Sequence, residues 1–229
     1  MTDASIAQPR HRIFAALYDR MLATAEATMR PLREFAAGGA TGCVVEIGGG
    51  TGHNLRYYRW ANVDSVEVTE PDPFMFQRAE ARADRLEPAA RLKLMLRQAP
   101  AEALPFADGS VDTVVSTLVL CTVSDVDRAL TEIWRVLRPG GQIRVVEHVR
   151  AAGGVAQVQR IVQPVYGWVA AGCQLSRDTE SAVQRHGFDL EVTQRTTLGL
   201  PLWPTFLGIA TKVQARTATG SRFGFGSPG

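Results

Sequence analysis

Lysine is almost missing from this 229-residue chain: Lys93 and Lys212 are the only two, and arginine carries nearly all the basic charge. The formal net charge is only +2 and no basic run stands out, so the electrostatic footprint of a nucleic-acid binder is absent. Cysteine is scarce. Cys43, Cys121 and Cys173 are odd in number and widely separated, with no C-x-x-C pair. That pattern argues against a disulfide framework or a zinc site and for a reducing, cytoplasmic compartment. Residues 1–12 have no apolar core of a secretion signal, and no stretch approaches the length of a membrane span, so the chain reads as soluble. No internal repeat is evident. What remains is an ordinary apolar fraction of 45%, enough for the core of one α/β domain.

The most informative stretch is Glu46-Ile47-Gly48-Gly49-Gly50-Thr51-Gly52, which follows the apolar run Cys43-Val44-Val45. It reads as a buried strand entering a glycine turn. Glycines at Gly48, Gly50 and Gly52 let the backbone bend sharply and let a ligand approach main-chain N–H groups. A helix over 53–60 is expected to follow and to turn its positive end toward an anionic group. His53 stands where a dinucleotide-binding turn has its third glycine, which weighs against a nicotinamide oxidoreductase. Glu70 ends a second strand, a position from which a carboxylate accepts both hydroxyls of a ribose.

Along the chain, apolar spacing predicts a helix or helix pair over 9–28, then a loop at 37–42. Pro71 and Pro73 open a helix running to about Leu86, and 91–97 alternates like a strand. Residues 111–120 form an almost wholly apolar strand, as in the centre of a parallel sheet. Ser124 and Asp125 cap a helix whose Leu130, Ile133 and Leu137 face the sheet. Strands are expected at 142–149, 190–196 and 206–213, with an apolar, Pro164-kinked segment over 155–171 and a short helix over 179–186. This alternation predicts an α/β fold with a doubly wound, mainly parallel sheet and an antiparallel pair at its end. The expected organisation is N-terminal lid helices and a linker over 1–41, a ligand-binding domain over 42–214 and a disordered tail over 215–229.

Five signatures occur in order: the glycine turn, Glu70, Ala101-Glu102-Ala103-Leu104-Pro105-Phe106, Asp108-Gly109-Ser110-Val111-Asp112, and Arg138-Pro139-Gly140-Gly141. Over residues 42–150 the chain resembles the class I S-adenosylmethionine-dependent methyltransferases. The resemblance implies a seven-stranded Rossmann-like sheet with S-adenosylmethionine as cofactor across the ends of the first, second and fourth strands. Further segments look like the methyltransferase-like proteins that methylate alkyl thiols: 116–123, Glu147-His148-Val149, 172–179 and Pro201-Leu202-Trp203-Pro204. Those relatives carry an N-terminal membrane segment; here a polar-amphipathic stretch stands in its place, so a membrane location is not expected to carry over. Many family members also place an Asp before the Ala-Glu pair to hold the adenine amino group, and here Pro100 stands there, as in the thiol-methylating branch.

The cofactor residues implied are Glu46, Gly48, Gly49, Gly50, Gly52, Glu70, Pro71, Ala101, Glu102 and Thr117. Glu46 would orient the loop and the cofactor ammonium, since an unpaired buried carboxylate is costly. Backbone around Ala101 and Glu102 would hold adenine. For Thr117, plain β-propensity is an equal alternative. His148, at the tip of the fifth strand, is the candidate for positioning the acceptor or taking its proton; a structural histidine bonded to a loop competes evenly. Phe14, Tyr18, Tyr166 and Trp168 are candidates for an apolar acceptor pocket, though such aromatics are more often core. Arg177 would grip an acceptor anion, or else Ser176 or Asp178 merely caps a helix. No base stands beside Cys173 in sequence, which argues against a nucleophile there.

A thiol with pKa about 8.5 is already partly thiolate at neutral pH, whereas a phenol or amine profits from a general base. The thin base equipment and the resemblance both favour a small, largely apolar thiol as methyl acceptor. The alternatives are O- or N-methylation of a quinone-like, lipid or specialised metabolite, and a non-catalytic cofactor-binding partner subunit.

Overall fold

The computed structural model describes residues 12–169, 172–199 and 202–213, with the side chains of 12–18, 21–23, 168 and 169 outside that description. The expected tail at 215–229 therefore lies outside the described residues. Seven strands form one sheet: β1 (Gly42–Ile47), β2 (Val63–Thr69), β3 (Leu94–Arg97), β4 (Val111–Thr117), β5 (Leu137–His148), β6 (Phe188–Thr197) and β7 (Pro204–Lys212). Their order is β3-β2-β1-β4-β5-β7-β6. The first five pair in parallel; β7 pairs antiparallel with both β5 and β6. The order of strand addition reverses between the parallel neighbours β1 and β4, so the tips of β1, β2, β4 and β5 open onto one crevice, where sheets of this kind bind ligands.

Among the described residues six α-helices accompany the sheet: α1 (Arg12–Ala36), α2 (Pro73–Ala83), α3 (Pro88–Leu92), α4 (Val126–Val136), α5 (Gly153–Val169) and α6 (Thr179–Arg185). Period-two alternation splits the valines of the sheet between two cores. Val44, Val66, Val115 and Val146 cluster with Met29, Leu32 and Ala36 of α1. Val45, Ile47 and Val114 cluster with Leu130 and Ile133 of α4 and Val183 of α6. Leu130 and Ile133 are fully buried, and each such side chain stabilises the fold by ~1.5–3 kcal/mol.

Helix ends are closed by side chains. Asp72, Asp125 and Asp178 accept backbone N–H bonds at the starts of α2, α4 and α6. Arg144 donates to the carbonyls of Phe35 and Ala36 at the end of α1, and Lys212 to those of Trp134 and Leu137 after α4. Leu137, expected on the fourth helix, instead opens β5, five residues before the expected strand start, and three further elements differ from the sequence reading. The first helix runs on through Pro31 to Ala36, because burial of Met29, Leu32 and Ala36 offsets the ~3 kcal/mol cost of an internal proline. The expected helix over 53–60 is only a 3₁₀ turn, His53–Arg56, so it adds little dipole. Residues 91–97 are split, since Pro88 starts α3 and the strand begins only at Leu94.

Candidate active site

The cofactor half of the crevice is built where β1 gives way to the glycine turn. Gly48 and Gly50 have φ of 54° and 57°, which side-chain-bearing residues rarely adopt. A Cβ on Gly48 would stand 2.6 Å from Val119 Cγ1, and one on Gly49 would stand 2.2 Å from Val68 Cγ1. The turn is tied to β2 by Gly49 N–H to the Thr69 carbonyl at 2.9 Å. Glu70, buried at the tip of β2, accepts from the N–H groups of Gly50 and Asp72, both at 2.8 Å. Burial pushes its pKa up to about 7 against the pull of those two N–H groups. Pro71 follows directly, and its carbonyl accepts from Gln98.

Glu46 is fully enclosed at the end of β1. It accepts from Tyr58 Oη at 2.7 Å and Asn54 Nδ2 at 2.9 Å. Burial again pushes the carboxyl up to about 7, partly opposed by Tyr58 and the Arg33 charge. Asn54 is a hub that the sequence reading missed: its amide also donates to Thr117 Oγ1 at 3.1 Å and accepts from Arg33 at 2.7 Å. The second missed residue is Asp19 of α1, which accepts from Thr51, His53, Arg78 and Arg82. It fastens the first helix across the glycine turn. Its only sequence signal is a lone acid within an apolar helical stripe.

Ala101 and Glu102 are buried on the loop after β3. Glu102 Oε1 accepts from the N–H groups of Ser124 and Asp125, and its backbone carbonyl accepts from Arg128 Nε at 3.0 Å, so the residue anchors the start of α4.

The acceptor half lies at the tips of β4 and β5. Leu118, just past Thr117, has φ 60°, the one positive value at a non-glycine among the described residues. Such a backbone costs of order 1–3 kcal/mol unless its surroundings fix it. Glu147 does so. Fully buried in β5, it accepts from Ser116 Oγ at 2.6 Å and from the N–H groups of Val119, Leu120 and Cys121 at 2.9, 2.9 and 3.2 Å. Sequence reasoning missed Glu147, although an acid inside Val145-Val146-Glu147-His148-Val149 is a signal in itself.

His148 follows, buried, with Nδ1 3.7 Å from Cys173 Sγ; Nε2 has no hydrogen-bond partner among the described residues. Its Nδ1 neighbour, Cys173, lies on the loop after α5, so the alternative of a structural histidine bonded to a loop stands beside the acceptor role. Cys173 Sγ in turn lies 3.6 Å from Cys121 Sγ. Contact with Cys121, and then the His148 imidazole, pulls the Cys173 thiol down, while Cys121 is pushed up. A base therefore does stand beside Cys173, brought there by the fold. Tyr166 of α5 packs on Trp203, with ring centroids 6.0 Å apart, and burial beside the two thiols pushes its hydroxyl up.

Arg177 donates to the carbonyls of Leu120 at 2.6 Å and Val123 at 2.9 Å, so its guanidinium clamps the loop after β4. Asp178 caps α6, as the simpler reading expected. The side chains of Phe14, Tyr18 and Trp168 lie outside the described residues. A cavity of about 310 Å³ sits away from this crevice, between Leu32 and Phe35 of α1 and Leu198 and Leu207.

Residues 45–145 match the methyltransferase domain family. The chain is 32% identical over 178 residues to thiol S-methyltransferase TMT1A of Homo sapiens, covering 76% of this chain and 72% of that protein. It is also 32% identical over 138 residues to the ubiquinone/menaquinone biosynthesis C-methyltransferase UbiE of Hahella chejuensis, covering 60% of this chain and 55% of that one. Among solved structures, YcgJ of Bacillus subtilis aligns with a TM-score of 0.65 at 17% identity, over 84% of this chain and 100% of that one. The chain belongs to the class I S-adenosylmethionine-dependent methyltransferases. It is thus an enzyme whose cofactor is S-adenosylmethionine, and the Cβ-free turn beside a buried carboxylate at the tip of β2 fits that molecule's polar parts. No helix among the described residues is long and apolar enough to cross a membrane.

Proposed function

We propose that this methyltransferase acts at the sulfur of a small, largely apolar thiol. The observation that carries the reading is the 32% identity to a thiol S-methyltransferase over most of both chains. The chemistry of the crevice supports it. S-adenosylmethionine supplies a methyl group already activated by sulfonium charge, so the protein's work is alignment and exclusion of water. Among the described residues His148 is the one imidazole at the acceptor half and no carboxylate partners it, since Glu147 is spent on Ser116 and three backbone amides. That equipment suits an acceptor that ionises readily. A phenol or amine would call for a better-supported base.

In this reading Gly48, Gly49, Gly50 and Gly52 cradle the methionyl part, Glu46 orients it, and Glu70 with Pro71 receives the ribose. Backbone at Ala101 and Glu102 holds adenine, and Thr117 supports the rim through Asn54. Tyr166, with Phe14, Tyr18 and Trp168, bounds the acceptor, while Arg177 positions the loop that carries Cys121. Three cysteines free of disulfides support a reducing compartment such as the cytoplasm.

The test is formation of S-adenosylhomocysteine by purified protein offered an alkyl thiol, a phenol and an amine in parallel. Turnover on the thiol alone is expected; turnover confined to phenol or amine overturns the reading. Glu70→Ala should weaken cofactor binding by about 10- to 100-fold, from the loss of hydrogen bonds to a charged group. Unchanged affinity by calorimetry would remove Glu70 from the site.

A further inference from the structure

We propose that Cys121, His148 and Cys173 form a zinc-binding site, with a fourth coordination position left for the acceptor thiol. The last clause rests on the thiol reading above; the metal site does not. The three ligand atoms lie within 4.8 Å of one another, and all three residues are buried. A tetrahedral zinc with bonds of ~2.3 Å to sulfur and ~2.0–2.1 Å to nitrogen has ligand-to-ligand edges of about 3.8 Å and 3.5 Å. The corresponding separations here are 3.6 Å between the two sulfurs and 3.7 Å between Cys173 Sγ and His148 Nδ1.

Each ligand is held by a separate part of the fold, as a preorganised site requires. Glu147 binds the N–H of Cys121, β5 carries His148, and Gln163 of α5 donates to the Cys173 carbonyl at 2.9 Å. The N–H of Gln174 bonds the Cys121 carbonyl at 2.8 Å, locking the two cysteine segments together. Two thiolates and one neutral imidazole would balance the dication, which suits a buried site. Glu147 is not the fourth ligand, because its oxygens already serve four donors.

A zinc ion with one open position lowers the pKa of what binds there. The acceptor thiol would lose its proton to solvent on binding. Its sulfur would then form the new bond to the methyl carbon as the sulfonium carbon–sulfur bond breaks, leaving that electron pair on the donor sulfur. The product thioether is neutral, a poorer ligand, and departs.

The experiment uses reduced, zinc-loaded full-length protein, with metal content measured after dialysis against a mild chelator. One zinc per chain is expected. Cys121→Ser and Cys173→Ser should each weaken zinc binding by at least about 10-fold while calorimetry shows unchanged S-adenosylmethionine affinity. Metal-free wild type, zinc retained by the double variant, or a Cys121–Cys173 disulfide recovered under reductant would each overturn the site. In the cobalt-substituted protein, an alkyl thiol should shift the thiolate-to-metal absorption. If cobalt binds but its spectrum ignores thiols, and only phenols or amines are methylated, the acceptor assignment and the thiol reading fall while the metal site stands. Undiminished thiol methylation after metal removal would overturn the fourth-position role alone.

Discussion

The glycine turn and Glu70 belong to one short stretch of chain, whereas Cys121, His148 and Cys173 reach each other across gaps of 25 and 52 residues. Each half of the crevice also has its own buried carboxylate. Glu46 is satisfied by side chains, Tyr58 and Asn54, and stays close to the ligand face. Glu147 is satisfied mainly by backbone, and its work is to hold a strained turn in place. One half is specified by local spacing and the other by long-range packing, so the first should tolerate changes in the second far better than the reverse.

The sharpest way to break that comparison is Glu147→Ala. It would leave three backbone amides and the Ser116 hydroxyl buried without their acceptor, beside a Leu118 backbone that costs energy of its own. Losing such a buried group should lower unfolding free energy by about 3–5 kcal/mol and abolish methyl transfer. Cofactor affinity, measured by calorimetry on the fraction that remains folded, should fall far less. Equal loss of both would show that the two halves are one cooperative unit.

The same contrast explains what the sequence discloses. The turn, Glu70, the cap at Asp125 and the parallel strands were legible because each depends on residues a few positions apart. Even the antiparallel end of the sheet could be read from the alternating runs near the C-terminus. The acceptor half was legible only as isolated candidates. The sequence placed no base beside Cys173 because the imidazole arrives on β5 while the thiol follows α5. The cysteine spacing argued against a metal, yet spacing in sequence says nothing of ligands gathered from three segments. Residues 53–60 misled for a related reason. Asn54 and Tyr58 are committed to Glu46 and Tyr57 to Glu26, and those tertiary bonds end the helical turn early. Leu92, 89% exposed, gave a false beat to the third strand's alternation.

Glu46 offers a second test, read in pH. Its folded-state pKa of about 7 lies above the ordinary carboxyl value of 4.5, so the folded protein holds more protons than the unfolded chain across that window. The stability linked to Glu46 is therefore full at low pH and lost as pH rises from about 4.5 to 7. At ~1.4 kcal/mol per unit, the whole effect is about 3 kcal/mol. Glu46→Gln imitates the protonated form, so the variant should gain on wild type by up to that amount between pH 5 and pH 8 in denaturant titrations. Taking the difference removes the parallel contribution of Glu70 and the opposite one of His53, whose pKa is driven down to about 4, chiefly by burial. A difference that stays flat with pH would mean Glu46 is no more costly to ionise than a surface acid.

The smallest expected effect concerns how α1 is joined to the cofactor half. Asp19 gathers Thr51 Oγ1 at 2.7 Å, His53 Nε2 at 2.9 Å, Arg78 at 3.0 Å and Arg82 at 3.3 Å on one carboxylate. Its burial alone would raise the pKa, but those hydrogen bonds and charges outweigh it and hold the group ionised. The carboxylate is still 27% exposed, so solvent screens much of the attraction and each arginine contributes little. Asp19→Asn should therefore cost at most about 1 kcal/mol of global stability. Its signature is local: faster amide exchange in the first turns of α1 and around Thr51, with Cys121, His148 and Cys173 unchanged. The buried contacts of Met29, Leu32 and Ala36 would keep the far end of the helix docked. Exchange that rises equally at the acceptor half would show that the latch organises the whole crevice, and the division between a locally specified half and a packed half would fail at its weakest join.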